Sequence, residues 1–308
     1  MPEEQAAAVM TRCGFVALLG APNAGKSTLL NRLVGTKVSI VTPKVQTTRR
    51  RVLGITVRGP AQLVFVDTPG IFAARPGRPL EQAMVRAAWR GAEDADLSVL
   101  LVDARRGLDA DTRIILDGLG KRRARAALVI NKLDLVAPPA TLPLIRELDQ
   151  SGRFERVFIV SALTGDGCDV LLDWLLEILP EGPWLFPEDQ LSDLSQRATA
   201  AEITREQLFL QLHQELPYSL TVETEAWTAS ADGSEVRIDQ TIYVQRPSQK
   251  AIVLGKGGRQ VKAVGQAARA ELERILDCRV HLFLHVKVRE RWPLDPERYR
   301  ELGIDYPG

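Results

Sequence analysis

The chain has 308 residues, enough for two domains at about 100–200 residues each. Its 40 basic and 39 acidic side chains leave a net charge of +1, which excludes a globally basic nucleic-acid binder and admits only local patches. Cys13, Cys168 and Cys278, with His213, His281 and His285, fit neither disulfide nor zinc spacing, and no apolar run nears the roughly 18 residues of a membrane span. Met1-Pro2-Glu3-Glu4 is acidic where a signal peptide would be basic. The expectation is a soluble, cytoplasmic protein with reduced thiols.

Phe15–Leu19 is strand-like, Gly20-Ala21-Pro22-Asn23-Ala24-Gly25-Lys26-Ser27 follows, and Ser27–Leu33 is helix-like. Strand, glycine loop, helix is the order a phosphate cradle requires. Glycine lets the backbone wrap closely, and the loop N–H groups with the helix N-terminus offer positive partial charge. Pro22, Asn23, Ala24, Gly25, Lys26, Ser27 and Thr28 are therefore expected to hold nucleotide phosphates. Lys26 reaches the β/γ-phosphates as a catalytic charge, and the Ser27 hydroxyl holds Mg2+.

Val52–Arg58 and Gln62–Asp67, joined through Gly59-Pro60, read as a hairpin. It ends in Asp67-Thr68-Pro69-Gly70, which puts a carboxylate beside the phosphate loop to bind magnesium through water. The Gly70 N–H then approaches the γ-phosphate. Leu97–Asp103, Ala126–Asn131 and Arg156–Ala162 are further strands, each leading towards a helical stretch such as Asp169–Leu179. Runs apolar on both faces, alternating with helices, predict an α/β domain with a mainly parallel sheet covered on both sides. Ligands in such sheets sit beyond the carboxyl ends of the strands, where every motif here falls. Asn131-Lys132-Leu133-Asp134 selects the base: the Asp134 carboxylate accepts from N1–H and the 2-amino group of guanine, and adenine offers neither donor. Ser161-Ala162-Leu163 offers a backbone N–H to guanine O6.

Pro180-Glu181-Gly182-Pro183-Trp184 and the polar run to Thr199 break this pattern, giving a first domain over 1–183, a linker over 184–200 and a second domain over 201–308. Thr204–Leu216 is an amphipathic helix with Leu208, Leu212 and Leu216 on one face. Tyr218–Thr228 and Val236–Val244 are strands, Arg259–Leu276 a helix, and Val280–Val288 an alternating strand. The result is an α+β domain: a three-stranded sheet with helices on one side. Its Gly255-Lys256-Gly257-Gly258 loop lets a nucleic-acid backbone approach, while Lys250, Lys256, Arg259 and Lys262 neutralise phosphates. His281, Phe283, His285 and Lys287 read as a solvated outer sheet face.

The first domain resembles the translation-factor-related GTPases, and the second is similar to a prokaryotic-type KH domain. Together, with Gln46-Thr47-Thr48-Arg49, Phe186-Pro187-Glu188-Asp189 and Glu215-Leu216-Pro217-Tyr218-Ser219, the chain resembles the Era family of bacterial ribosome-associated GTPases. The resemblance implies a P-loop GTPase in which Thr48, rather than Thr47, closes over magnesium when the γ-phosphate is present. Many small GTPases carry a water-orienting glutamine where this chain has Ile71, which cannot hydrogen-bond water, so hydrolysis is expected to be slow or assisted. Asn23 holds potassium in relatives, and a bracing role for the loop stands equally open. Further implications are binding to 16S ribosomal RNA near its 3′ end, a role in maturing the 30S subunit, and peripheral membrane association; apart from the resemblance, the chain is expected to be a monomer. A passive RNA-binding scaffold with a structural nucleotide site is the alternative. A GTPase serving tRNA modification is a third reading, with no second catalytic domain visible for it.

Overall fold

The computed structural model describes residues 10–44, 47–122, 124–137, 139, 141–150, 153–212, 216–290 and 296, with the backbone alone at Pro217 and Tyr218. Met1–Glu4, Gln46, His213 and Glu215, singled out above, lie outside them. Two compact units emerge. The first holds the chain up to Ser39, Arg50–Pro76 and Met84–Asp193; the second holds Ile40–Arg49, Gly77–Ala83 and the chain from Leu194.

In the first unit, β1 (Arg12–Gly20), β2 (Val52–Arg58), β3 (Ala61–Asp67), β4 (Leu97–Asp103), β5 (Ala126–Asn131) and β6 (Phe154–Ile159) form one sheet in the order β2-β3-β1-β4-β5-β6. Every pairing is parallel except the β2–β3 hairpin. The helices are α1 (Lys26–Val34), α2 (Pro79–Glu93), α3 (Ala110–Arg122), α4 (Thr141–Leu148) and α5 (Cys168–Glu177). Strand alternation sorts the core into two layers. Val16 and Leu18 of β1 pack with Leu29 and Leu33 of α1 and Leu171 and Leu175 of α5. Ala17 and Leu19 face Ala88 of α2, Ile115 of α3 and Leu144 of α4. Burial on both faces is why β4 and β5 read as unbroken apolar runs. The strand order reverses direction at β1, so its carboxyl end is the crevice where ligands bind.

β6 stops at Ile159, short of the expected Ala162. Val160 N–H still donates to the Ile130 carbonyl at 2.8 Å, but Ser161 N–H turns to Asp166 at 2.9 Å and starts a tight loop. Residues 184–193 run along β2 and β3 inside the first unit. The fully buried Gln62 amide accepts from the N–H groups of Leu185 (2.8 Å) and Phe186 (3.0 Å) and donates to the Phe186 carbonyl at 2.7 Å. Farther along, Ile55 N–H donates to the Leu191 carbonyl at 2.9 Å, and Leu53 N–H to the Asp193 carboxylate at 2.9 Å.

In the second unit, α6 (Gln196–Gln211) precedes β7 (Leu220–Ala229), β8 (Glu235–Val244), α7 (Pro247–Leu254), α8 (Arg259–Leu276) and β9 (Arg279–Val288). The sheet order is β7-β8-β9, the first pair antiparallel and the second parallel. α6 begins at Gln196 rather than the expected Thr204. Ser195 caps it by accepting from Ala198 N–H, and the buried Ala200 and Ala201 extend its inner face without the leucines that leucine spacing follows. It ends at Gln211, and Leu216 falls in a separate turn. Val236, Ile238, Ile242 and Val244 of β8 pack with Leu208 of α6, Val253 of α7 and Val264, Ala268 and Leu272 of α8, which puts the helices on one face. Among the described residues no helix is long and apolar enough to cross a membrane.

Candidate nucleotide site and nucleic-acid interface

The loop after β1 is built for close approach. Gly25 has φ +99°, and a Cβ there would sit 2.2 Å from the Asn131 amide nitrogen. Lys26 is buried at the start of α1, and its Nζ donates to the carbonyls of Gly20 (3.0 Å) and Ala21 (3.2 Å). Burial lowers its pKa to about 8, against the opposing pull of the Asp67 carboxylate. A lysine in this state gains most when a polyanion arrives. Ser27 and Thr28 follow in the first turn of α1.

The Ser27 hydroxyl donates to Asp67 Oδ2 at 2.7 Å, and the Ser39 hydroxyl donates to the same oxygen at 2.9 Å. A single carboxylate with hydroxyls, all hard oxygen donors, suits magnesium, which takes one or two protein ligands and fills its shell with water and phosphate oxygens. Among the described residues there is no cluster of His, Cys, Asp and Glu that could hold a metal by itself, so the donor set fits an ion shared with a nucleotide. Thr68, Pro69 and Gly70 are buried; the Thr68 hydroxyl donates to the Leu18 carbonyl at 2.8 Å. Ile71 is fully buried among Ala17, Leu19 and their neighbours, so its side chain serves the core.

Asn131, at the end of β5, braces two loops. Its amide donates to the Ala24 carbonyl at 2.8 Å and accepts from Ala162 N–H at 3.0 Å, tying the phosphate loop to the Ser161–Leu163 turn. Lys132 has φ +67° and pairs with Asp103 at 2.7 Å. Asp134 is exposed, with Oδ1 accepting from the Ser161 hydroxyl at 2.5 Å. Arg32 of α1 donates to the carbonyls of Ala162 (3.4 Å) and Leu163 (2.5 Å). Asp103 and Arg32 escaped the sequence reading; Asp103 was visible only as a strand-ending acid like Asp67.

Residues 40–49, carrying Thr47 and Thr48, belong to the second unit. Ile40 joins the core of α6 and α8; Val41 N–H donates to Glu206 at 2.8 Å, Arg205 to the Thr47 carbonyl at 2.6 Å, and Arg49 to the Leu220 carbonyl at 2.7 Å. The structure thus gathers Lys26, Ser27, Asp67, Asn131, Asp134 and Ser161 in one unit and gives Thr48 to the other.

Between α7 and α8, Gly255, Gly257 and Gly258 have φ of +69°, +62° and +75°. A Cβ on Gly255 would lie 2.7 Å from Gln260 Cβ, whereas those on Gly257 and Gly258 would meet open space. Lys256, Arg259 and Lys262 are exposed and Lys250 is half-buried. Beside this loop, α8 and β9 enclose a groove of about 310 Å³ lined by Val261, Lys262, Gly265, Gln266, Arg269, Leu282 and Leu284. Its lining combines the apolar Val261, Leu282 and Leu284 with the polar Gln266 and the basic Lys262 and Arg269. Gln266 and Arg269 were not foreseen. The one faint signal was Gly265, a helix-interior glycine, whose absent side chain keeps α8 open over Leu284.

A family model described as 50S ribosome-binding GTPase matches residues 15–132, and a KH domain model matches 215–293. GTPase Era of Brucella suis biovar 1 is 58% identical over 300 residues, covering 97% of this chain and 96% of that protein. GTPase Era of Rhizobium meliloti is 59% identical, covering 98% and 96%. A crystal structure of Era with MgGDPNP and nucleotides 1506–1542 of 16S ribosomal RNA superposes with a TM-score of 0.89 at 40% identity, covering 95% of this chain and 99% of that one. A point variant of Aquifex aeolicus Era bound to GDP.AlF4- gives the same score at 39% identity, with the same coverage. With both domain models matched and full-length relatives this similar, the chain belongs to the Era family of GTPases.

Proposed function

We propose that this chain is a magnesium-dependent GTPase switch that binds single-stranded RNA at the 3′ end of 16S ribosomal RNA and assists maturation of the 30S subunit. The observation that carries the RNA half is the groove between α8 and β9, whose lining starts at Val261, three positions after the Gly255–Gly258 loop. Leu282 and Leu284 give bases an apolar surface, and Lys262 and Arg269 give phosphates charge. The solved Era complex with a 16S fragment supplies the RNA class.

Hydrolysis follows from the first unit. Loop N–H groups and Lys26 hold the phosphates. Ser27 and Asp67, with Thr48 once its segment reaches the γ-phosphate, are the residues that would hold magnesium. When bound there, such an ion would supply positive charge against the phosphates. Gly70 N–H meets the γ-phosphate, Asp134 reads guanine, and Asn131 keeps the two halves of the pocket in register. With Ile71 in the core, no side chain at that position orients the attacking water. Intrinsic turnover is therefore slow, and the family resemblance makes Asn23 the candidate to recruit potassium as an aid, with a loop-bracing role as its alternative. The protein works as a cytoplasmic monomer; its peripheral membrane association rests on family resemblance.

Replacing Lys256 and Gly257 together by Asp tests the RNA site. Two carboxylates then repel phosphates, and a side chain stands at φ +62° where the backbone must approach. RNA affinity is expected to drop while GTP affinity without RNA persists. Undiminished RNA binding by the folded double variant overturns the assignment.

A further inference from the structure

Arg106 has no part in the chemistry above, yet it touches the phosphate loop. It lies in the turn after β4, where Arg106 N–H and Gly107 N–H both donate to the Asp103 carbonyl, at 3.0 and 2.9 Å. Its Nη1 donates to the Pro22 carbonyl at 2.9 Å. Its Nη2 is ion-paired behind, 2.6 Å from Asp109 and 3.7 Å from Asp111. The guanidinium is therefore aimed by two carboxylates at one peptide of the phosphate loop, a fork that lysine cannot reproduce.

That peptide is hemmed in on its other sides. A Cβ on Gly70 would lie 2.9 Å from Pro22 N and 3.0 Å from Pro22 Cα, so the glycine facing the γ-phosphate rests directly on this proline. Asn23, next in the chain, has φ +65°, a left-handed conformation that a non-glycine residue keeps only where neighbours impose it. The Pro22–Asn23 peptide is trans, so holding the Pro22 carbonyl towards Arg106 turns the Asn23 N–H the opposite way.

We propose that Arg106 is a positioning residue for GTP hydrolysis, fixing the Pro22–Asn23 peptide against Gly70 so that the Asn23 N–H is set in advance for charge developing on the phosphates. Donors arranged beforehand act mainly on the transition state. Losing the arrangement slows turnover more than it weakens binding of the product nucleotide.

The test uses the full chain with Arg106→Ala, measuring single-turnover GTP hydrolysis, GDP affinity and thermal unfolding. Hydrolysis is expected to slow by about ten- to a hundredfold, with GDP affinity held within about threefold. Because the Arg106 side chain is 40% exposed, millimolar guanidinium chloride can enter and is expected to restore part of the rate, while sodium chloride at equal ionic strength does not. If the alanine variant unfolds, Arg106→Gln takes its place, with the same split between hydrolysis and GDP affinity. Hydrolysis within about twofold of the unmutated protein overturns the proposal. So does a parallel fall in GDP affinity, or a rate that guanidinium leaves unchanged.

Discussion

The guanine-reading role proposed for Asp134 rests on two donors that guanine has and adenine lacks; in the structure its Oδ1 also accepts from the Ser161 hydroxyl. Asp134→Asn turns one acceptor into an amide donor. GTP binding is expected to weaken by more than the about 1–3 kcal/mol of a lost neutral partner, while xanthosine nucleotides gain, because the amide NH₂ meets their 2-oxo group. Competition between GTP and XTP for both proteins checks this, and equal affinity of the unmutated protein for ATP and GTP would sink it. Lys26 yields a pH prediction. Its pKa of about 8 lies below the ordinary 10.5, so the fold is destabilised while the amine is protonated, and stability without nucleotide rises with pH between those values. Phosphates restore the higher pKa, so GDP binding takes up a proton. Calorimetry at pH 8 in buffers of differing ionisation enthalpy is expected to read about half a proton, fading towards zero by about pH 6.5.

The start of the strap over 184–193 is held by one side chain of β3, Gln62. Gln62→Met keeps the volume but strands the Leu185 and Phe186 backbone groups that the amide served. A loss of about 1–2 kcal/mol is expected in urea unfolding of the first unit, because part-buried backbone groups would lose their partners. A cost below about 0.5 kcal/mol would show that water replaces the amide there. This anchor also marks where sequence reading stops. Asp67-Thr68-Pro69-Gly70, Asn131–Asp134 and the glycine loops were legible because the chemistry needs fixed residue types at fixed local spacing. The strands were legible because burial on both faces writes continuous apolar runs. Gln62 was read only as the start of a strand, since its partner lies 124 positions away and leaves no periodicity. The packing of Ile40–Arg49 on α6 was hidden for the same reason, since its partners Glu206 and Arg205 lie 165 and 158 positions away. The early start of α6 escaped because buried alanines carry no strong apolar signal.

At the scale of the molecule, a net charge of +1 means that RNA affinity draws on local charge alone. Five side chains, Lys250, Lys256, Arg259, Lys262 and Arg269, surround the loop and groove. At about 0.7 per phosphate contact on single-stranded RNA, five contacts give a slope of log affinity against log salt near −3.5. A titration between 50 and 200 mM salt, on the order of the usual working range, measures it. A slope twice as steep would require basic residues beyond these five. The assignment of Ile40–Arg49 to the second compact unit also bears on how such a protein can be inherited in pieces. A gene rearrangement that carried the chain from Leu194 onwards to a new partner would leave behind Ile40, which completes the core beneath α6 and α8, and Arg49, which holds the Leu220 carbonyl. The transplanted half would arrive with a hole in its core, and the donor would keep a loop with nothing to pack on. Recombination at the linker is thus penalised from both sides, and the two halves are bound to be passed on together.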